Sequence, residues 1–224
     1  ERLFHYGRAQ SAARTLFAGG APALDRLDGY RLVYLSGITL AILGPAARVD
    51  LLDKLAACRE SGLRVAFDSN YRPALWPDPE TAAAAMAMAW SITDIALPSL
   101  DDEIALAAAT GAADADPDAV LDRIAGHGVA EIALKCGAGG PRLWAGGPVS
   151  AGPFPPAERV VDTTAAGDSF NAGYLAGRIA GAPPPAAAQT GHALAARVIG
   201  HPGAILPRDV ALAIDADGGL MTAP

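Results

Sequence analysis

The sequence predicts an α/β fold, a mostly parallel sheet with helices on both faces. Three observations carry this expectation. Short apolar runs alternate with segments of helical periodicity, and the runs end in polar or glycine punctuation. Hydrophobic residues make up 51% of the 224 positions against 18% charged, enough apolar content for a sizeable core. Strands that alternate with helices form βαβ units, whose right-handed crossovers produce parallel pairing. The length fits one large domain, or one domain plus a small appendage, and no repeat or linker marks off a second independent domain.

The elements follow in chain order. Glu1–Arg8 alternates polar and apolar residues as a strand does, and Ser11 can cap a short helix through Phe17. Arg31–Ser36 is a short apolar run closed by Gly37, a buried strand. From Pro45 to Arg59 the apolar residues fall at helical spacing, with Gly62 as the stop. Leu63–Asp68 is the next strand, followed by a proline-rich loop to Pro79. A helix over Thr81–Ile92, a strand over Asp94–Leu97, and helices over Asp101–Thr110 and Asp118–His127 continue the alternation. Glu131–Lys135 reads as a strand, and Arg142–Ala145 with Val149–Ala151 as a small antiparallel pair. Two helices, from about Gly167 to Ile179 and from Pro184 to Ile199, follow.

Charge and cysteine content exclude several classes. A net charge of −7 and a pI near 5.0 argue against a nucleic-acid binder, which carries a basic face. A local cluster of donors can still hold a small anion. Cys58 continues the apolar row of Leu51, Leu52 and Leu55, and Cys136 closes an apolar strand. Both read as buried thiols, since neither has the spacing of a redox or metal motif. His5, His127, His192 and His201 are scattered, without ligand spacing. No apolar run reaches the roughly 18 residues of a membrane span, so a reduced, cytoplasmic protein is expected.

In open α/β sheets, ligands bind beyond the carboxyl ends of the strands. Ser36-Gly37, Asp68-Ser69-Asn70, Pro98-Ser99 and Lys135-Cys136-Gly137 fall there. The stretch Val160–Tyr174 is more informative still. Ala165-Ala166-Gly167 offers three successive backbone N–H groups with almost no side-chain bulk as a helix opens, a site for phosphate oxygens. Asp168 follows in the first helical turn, where a carboxylate either serves chemistry or simply stabilises the helix dipole.

The run Asp162-Thr163-Thr164-Ala165-Ala166-Gly167-Asp168-Ser169-Phe170-Asn171-Ala172-Gly173 resembles the C-terminal signature of the ribokinase-like (PfkB) carbohydrate kinases. It departs from the usual Asp-Thr-Thr-Gly-Ala-Gly-Asp only in Ala165, which restricts φ more than glycine. The resemblance implies that Asp168 is the general base for an acceptor hydroxyl. It implies too that the N–H groups of Ala165, Ala166 and Gly167 form an anion hole for the transferred phosphoryl group. Phosphoryl transfer depends mainly on positioning and electrostatic stabilisation, so such a site suits it.

Three further segments resemble the 2-keto-3-deoxygluconate kinase branch of that family. They are Glu1–Ala13, Phe67-Asp68-Ser69-Asn70-Tyr71-Arg72-Pro73-Ala74-Leu75-Trp76, and Leu97-Pro98-Ser99-Leu100-Asp101-Asp102-Glu103. The resemblance implies that Tyr6, Arg8, Asn70 and Arg72 hold a sugar acid beside Asp168. Arginine suits a carboxylate, which it grips through two parallel charge-assisted hydrogen bonds. Three of these residues also have a plain alternative: Arg72 and Arg8 as solvated charges, Tyr6 as a packing aromatic. His5 and Gly7 stand where larger aromatics are expected.

Ser99 and Asp102 fall where many relatives have Asn-x-x-Glu, a motif tied to magnesium and phosphate. Asp102 is therefore a candidate to organise Mg²⁺ through water, or else one of a charge cluster at a helix start. Lys135, Gly137 and Gly140 lie in a run resembling the nucleotide-side loop, with a glycine-rich turn between strands as the alternative. With Ser99, Gly167, His192 and Ala195 they make up the nucleotide-binding set the resemblance implies. Asp162 and Thr164 match positions that bind a monovalent cation, K⁺, in many relatives.

The resemblance covers essentially the whole chain, read as one kinase domain over 1–224 in which 1–10 is the remnant of a lid strand. Relatives begin with a further segment that carries a sheet strand, a Gly-Gly motif and most of a β lid. The expected function is ATP- and Mg²⁺-dependent phosphorylation of the 6-hydroxyl of 2-keto-3-deoxygluconate, by a homo-oligomer without nucleic-acid or membrane partners. The alternatives are a fructokinase or ribokinase type of the same family, or a non-catalytic sugar-acid-binding subunit.

Overall fold

Leu32–Ser36 (β1) and Arg64–Asp68 (β2) pair in parallel from Leu32 opposite Arg64 to Ser36 opposite Asp68. Ile95–Ala96 (β3) adds to the other side of β2, also in parallel. The computed structural model describes residues 12–15, 24, 26–112, 116–207, 212–214 and 220–222. The expected strand over 1–8, with Tyr6 and Arg8, and the cap at Ser11 lie outside them. The chain divides into two compact units, Glu1–Val129 and Ala130–Pro224.

In the first unit, helices α1 (Gly37–Ile42) and α2 (Pro45–Glu60) connect β1 to β2, and α3 (Pro79–Trp90) connects β2 to β3. Helices α4 (Leu100–Ala109) and α5 (Pro117–Ala125) follow. Each crossover carries a parallel connection, as the alternating pattern predicts. The strand β2 is buried from Val65 through Asp68, and Phe67 packs edge-on against Trp90 with ring centroids 4.7 Å apart. The apolar row of α2, Leu51, Leu52, Leu55 and Cys58, is buried. Helix α3 starts on Asp78, whose side chain accepts the Thr81 N–H at 2.6 Å, with Pro79 at the first helical position. Because β1 and β2 end in register, Ser36 and Asp68 stand side by side at the carboxyl ends of their strands.

In the second unit, Glu131–Lys135 (β4), Pro141–Ala145 (β5) and Pro148–Val149 (β6) form an antiparallel meander. Helices α6 (Ala166–Ile179) and α7 (Pro184–Val198) pack on each other at very close range. A Cβ on Gly173 would lie 2.8 Å from the Gly191 Cα, and one on Gly191 would lie 2.7 Å from the Phe170 carbonyl oxygen. Glycine at both positions is what lets the two backbones meet. Leu212–Ile214 (β7) and Leu220–Thr222 (β8) form a separate antiparallel pair.

Most expected elements are present with ends shifted by one or two residues, while α1 and the β7–β8 pair go beyond the expectation. One core assignment changes. Cys58 is buried, but Cys136 lies one residue past β4 and is only half-buried, its Sγ donating to the Leu134 carbonyl at 3.4 Å. Among the described residues, no helix is long and apolar enough to cross a membrane.

Candidate active site

The turn Asp162–Gly167 in the second unit is braced by one carboxylate. Asp162 Oδ1 accepts the Thr164 N–H at 2.8 Å, and Oδ2 accepts the Gly203 N–H at 3.1 Å. Both oxygens of this monovalent-cation candidate are thus engaged in holding backbone. Ala165 then takes left-handed geometry, φ 60 and ψ 18, which costs an L-residue more than glycine. That reversal turns the chain into α6, with the Ala165 carbonyl accepting the Ser169 N–H at 2.8 Å.

The open donors differ from the expected row of three. The Ala166 N–H donates to the Thr163 carbonyl at 3.2 Å and closes the turn. Among the described residues, the N–H groups of Ala165, Gly167 and Asp168 find no acceptor. These donors stand at the start of a 14-residue helix, where the backbone dipole favours an anion.

Asp168 is exposed in the first turn of α6, and its carboxylate makes no hydrogen bond or ion pair with any described residue. Its neighbours are firmly held. Ser169, Phe170 and Asn171 are buried, and the Asn171 Oδ1 accepts from Lys135 Nζ at 3.0 Å. The Lys135 ammonium, carried at the end of β4, also stands 3.7 Å from where a Cβ on Gly167 would be. A cation therefore sits beside the open donors, so Lys135 and Gly167 come together as candidates. A lysine ammonium, a helix start and open backbone donors are thus grouped in this corner of the unit.

The other nucleotide candidates are less alike. Gly137 takes φ 59 in open space. A Cβ on Gly140 would meet Phe154 at 2.4 Å, so packing alone explains its glycine. The His192 Nε2 lies 2.7 Å from the Pro155 carbonyl, and its ring centroid lies 5.1 Å from that of Phe154. Ala195 is half-buried on α7.

The first unit holds a second polar cluster at the end of β2. Asp68 is buried and its Oδ1 accepts the Asn70 N–H at 3.1 Å, which holds Asn70 at the strained φ of 34. The side-chain oxygens Ser69 Oγ and Asn70 Oδ1 are buried without a partner among the described residues. Buried polar atoms are nearly always satisfied, so such orphans mark where a ligand or water completes the site. Tyr71 is buried, and burial, then the Glu80 charge, push its hydroxyl pKa up.

Arg72 follows, and its NH1 donates to the Tyr71 carbonyl at 2.6 Å and to Asp102 Oδ1 at 2.9 Å. Asp102 comes from the first turn of α4, where Ser99 is the N-cap without a side-chain cap bond. The acidic run at this helix start is more than a solvated cap. Asp102 pairs with Arg72, and Glu103 is buried with Oε2 accepting from Arg123 at 2.8 Å. The Arg72–Asp102 pairing, which ties two candidates together, carries no signal in the sequence because the residues lie 30 positions apart.

Residues 1–211 match the model of the pfkB family carbohydrate kinases. The chain is 44% identical over 213 residues to a 2-dehydro-3-deoxygluconokinase of Dickeya dadantii (strain 3937), covering 92% of this chain and 67% of the relative. It is 41% identical over 215 residues to a 2-dehydro-3-deoxygluconokinase of Escherichia coli (strain K12), covering 93% and 68%. Among solved structures, it superposes on a PfkB protein from Polaromonas sp. JS666 with a TM-score of 0.71 at 26% identity, covering 86% of this chain and 61% of that one. The chain thus spans about two thirds of the length of the curated relatives it matches. It belongs to the pfkB family of carbohydrate kinases.

Proposed function

We propose that the protein carrying this chain transfers the terminal phosphoryl group of ATP to the 6-hydroxyl of 2-keto-3-deoxygluconate, the compound also called 2-dehydro-3-deoxygluconate. The observation that carries the kinase reading is the start of α6, where the Lys135 ammonium shares one corner with a carboxylate and N–H donors that have no partner among the described residues. The substrate reading is supported by 41% and 44% identity to relatives of that name.

In the reaction, the Asp168 carboxylate accepts the proton of the attacking hydroxyl. The hydroxyl oxygen forms a bond to the γ-phosphorus as the bond to the β,γ-bridging oxygen breaks, and ADP leaves with that electron pair. The N–H groups of Ala165, Gly167 and Asp168, with Lys135, stabilise the charge that spreads over the transferred group. Arg72 takes the sugar-acid carboxylate, with Asn70 beside it.

Magnesium, when bound, neutralises phosphate charge. Among the described residues no group of three or more His, Cys, Asp or Glu side chains could cage a cation, which suits Mg²⁺ held by nucleotide phosphates and its own waters. Asp102 would reach it only through water. K⁺ beside Asp162 and Thr164 rests on the resemblance alone.

Asp168→Asn tests the central role, because it keeps the shape and removes the base. Turnover should fall by about 10²- to 10⁴-fold while ATP affinity, measured by calorimetry, stays close to that of the wild type. Turnover within threefold of wild type would refute the assignment of Asp168.

A further inference from the structure

We propose that Asp102 is a positioning residue for sugar-acid selectivity, one that holds the Arg72 guanidinium so that a single edge of it faces the substrate carboxylate. The inference rests on the reading of Arg72 as the carboxylate-binding residue. It departs from the magnesium role that the resemblance implies for Asp102.

The backbone of Arg72 is fixed from both sides. Upstream, Asp68 holds Asn70 at φ 34 and Tyr71 is 3% exposed. Downstream, Pro73 confines Arg72 to extended geometry, and it sits at φ −129 and ψ 96 before a short 3₁₀ turn. The side chain would still sample many rotamers from that point, and Asp102 removes this freedom.

Each terminal nitrogen of a guanidinium carries two N–H bonds. Both of those on NH1 are used, by the Tyr71 carbonyl at 2.6 Å and by Asp102 Oδ1 at 2.9 Å. Among the described residues, Nε and NH2 donate to nothing. They form the side-on edge of the guanidinium, two parallel N–H bonds that match the oxygens of a carboxylate. Asp102 therefore occupies the end of the fork and leaves the edge for substrate. The Asp102 side chain is 18% exposed against 37% for Arg72, so the anchor is the more buried partner and the ligand-facing group the more open one.

The pairing has an electrostatic consequence as well. The Asp102 charge offsets part of the Arg72 charge, so an incoming carboxylate gains from the fixed fork more than from net attraction. An amide in place of the Asp102 carboxylate keeps an oxygen acceptor for NH1 while removing that opposing charge. Asp102→Asn should therefore bind the sugar acid as well as the wild type or better, whereas Asp102→Ala frees the guanidinium and should bind it more weakly.

The test is calorimetric binding of 2-keto-3-deoxygluconate to the intact protein without ATP or Mg²⁺, on a double-mutant cycle of Asp102→Ala and Arg72→Ala. Asp102→Ala should raise the dissociation constant by about tenfold, and this effect should vanish in the Arg72→Ala background. Asp102→Glu, which keeps the charge but moves the carboxylate by one methylene, should also weaken binding and decides the matter if the alanine variant does not fold. If Asp102→Ala and Asp102→Glu bind the acid as wild type does, and differ only in the Mg²⁺ concentration needed for turnover, the inference is overturned and Asp102 serves the metal. If the wild type binds nucleotide but no sugar acid, the substrate reading fails first and the inference falls with it.

Discussion

Helix α6 has two ends that treat polar groups in opposite ways. At its C-terminal end, Tyr174 and Arg178 converge on the Glu131 carboxylate. The Tyr174 hydroxyl donates to Oε1 at 2.9 Å, while Arg178 donates to Oε1 through Nε and to Oε2 through NH2, both at 2.8 Å. Arg178 NH1 then donates to the Ala182 carbonyl, so the cluster is closed. Burial, then the Glu131 charge and hydrogen bond, push the Tyr174 pKa well above its ordinary range. The Arg178 pKa is raised chiefly by its hydrogen bond to Glu131. At the N-terminal end, Asp168 is exposed, and among the described residues neither its carboxylate nor the N–H groups of Ala165, Gly167 and Asp168 find a partner. Within one helix, the cluster whose partners all lie in the protein serves the fold, and the exposed groups at the other end remain accessible to solvent and, in the proposed reaction, to substrate.

Substitutions at the two ends should therefore separate activity from stability. Asp168→Asn, with its loss of about 10² to 10⁴ in turnover, should cost less than about 1 kcal/mol of stability, the value of one carboxylate at a helix start. Thermal melting alongside the rate assay checks this, and a large drop in Tm would mean Asp168 also holds the fold. Glu131→Ala should behave in the reverse sense. It leaves the buried Tyr174 hydroxyl and the half-buried Arg178 guanidinium without their partner, which costs about 3 kcal/mol, while the fraction that remains folded keeps its KM for ATP. Chemical denaturation reads that loss, and a change below about 1 kcal/mol would show that the closed cluster contributes little.

The elements of the fold were legible where apolar runs are clean. The strands β2 and β4 are five-residue runs ended by Asp68 and Lys135, and α2 shows its buried row of Leu51, Leu52, Leu55 and Cys58. Helix α1 was not, because Gly37–Ile42 follows β1 directly and its Ile38 and Thr39 are β-branched, as in a strand. The start of α6 was legible as small residues leading to Asp168. Which N–H groups stay open was not, since that depends on Ala165 adopting left-handed geometry and on Ala166 bonding back to Thr163. The Glu131 cluster and the Arg72–Asp102 pair lie beyond any local pattern, because their members are 43, 47 and 30 positions apart.

Two smaller effects sharpen the picture of the open end. Lys135→Met should lower turnover by about tenfold or more, because a fixed positive charge beside the open donors is lost, and steady-state kinetics at saturating substrates would detect it. An unchanged rate would confine Lys135 to holding Asn171. Ala165→Gly relieves the left-handed strain and should raise stability by up to about 1 kcal/mol, visible as a Tm shift of a few degrees with little change in rate. A lower Tm would mean the turn gains more from the stiffness of alanine than it loses to strain.

Phosphorylation of a sugar acid by this protein is decided by kcat/KM for 2-keto-3-deoxygluconate, fructose and ribose, each measured with ATP and Mg²⁺. Turnover of the keto-deoxy acid should be at least about 100-fold more efficient than that of either neutral sugar, with the new phosphate ester on the 6-hydroxyl, on the strength of the carboxylate–arginine pairing at Arg72. Equal or better turnover of fructose or ribose would contradict it.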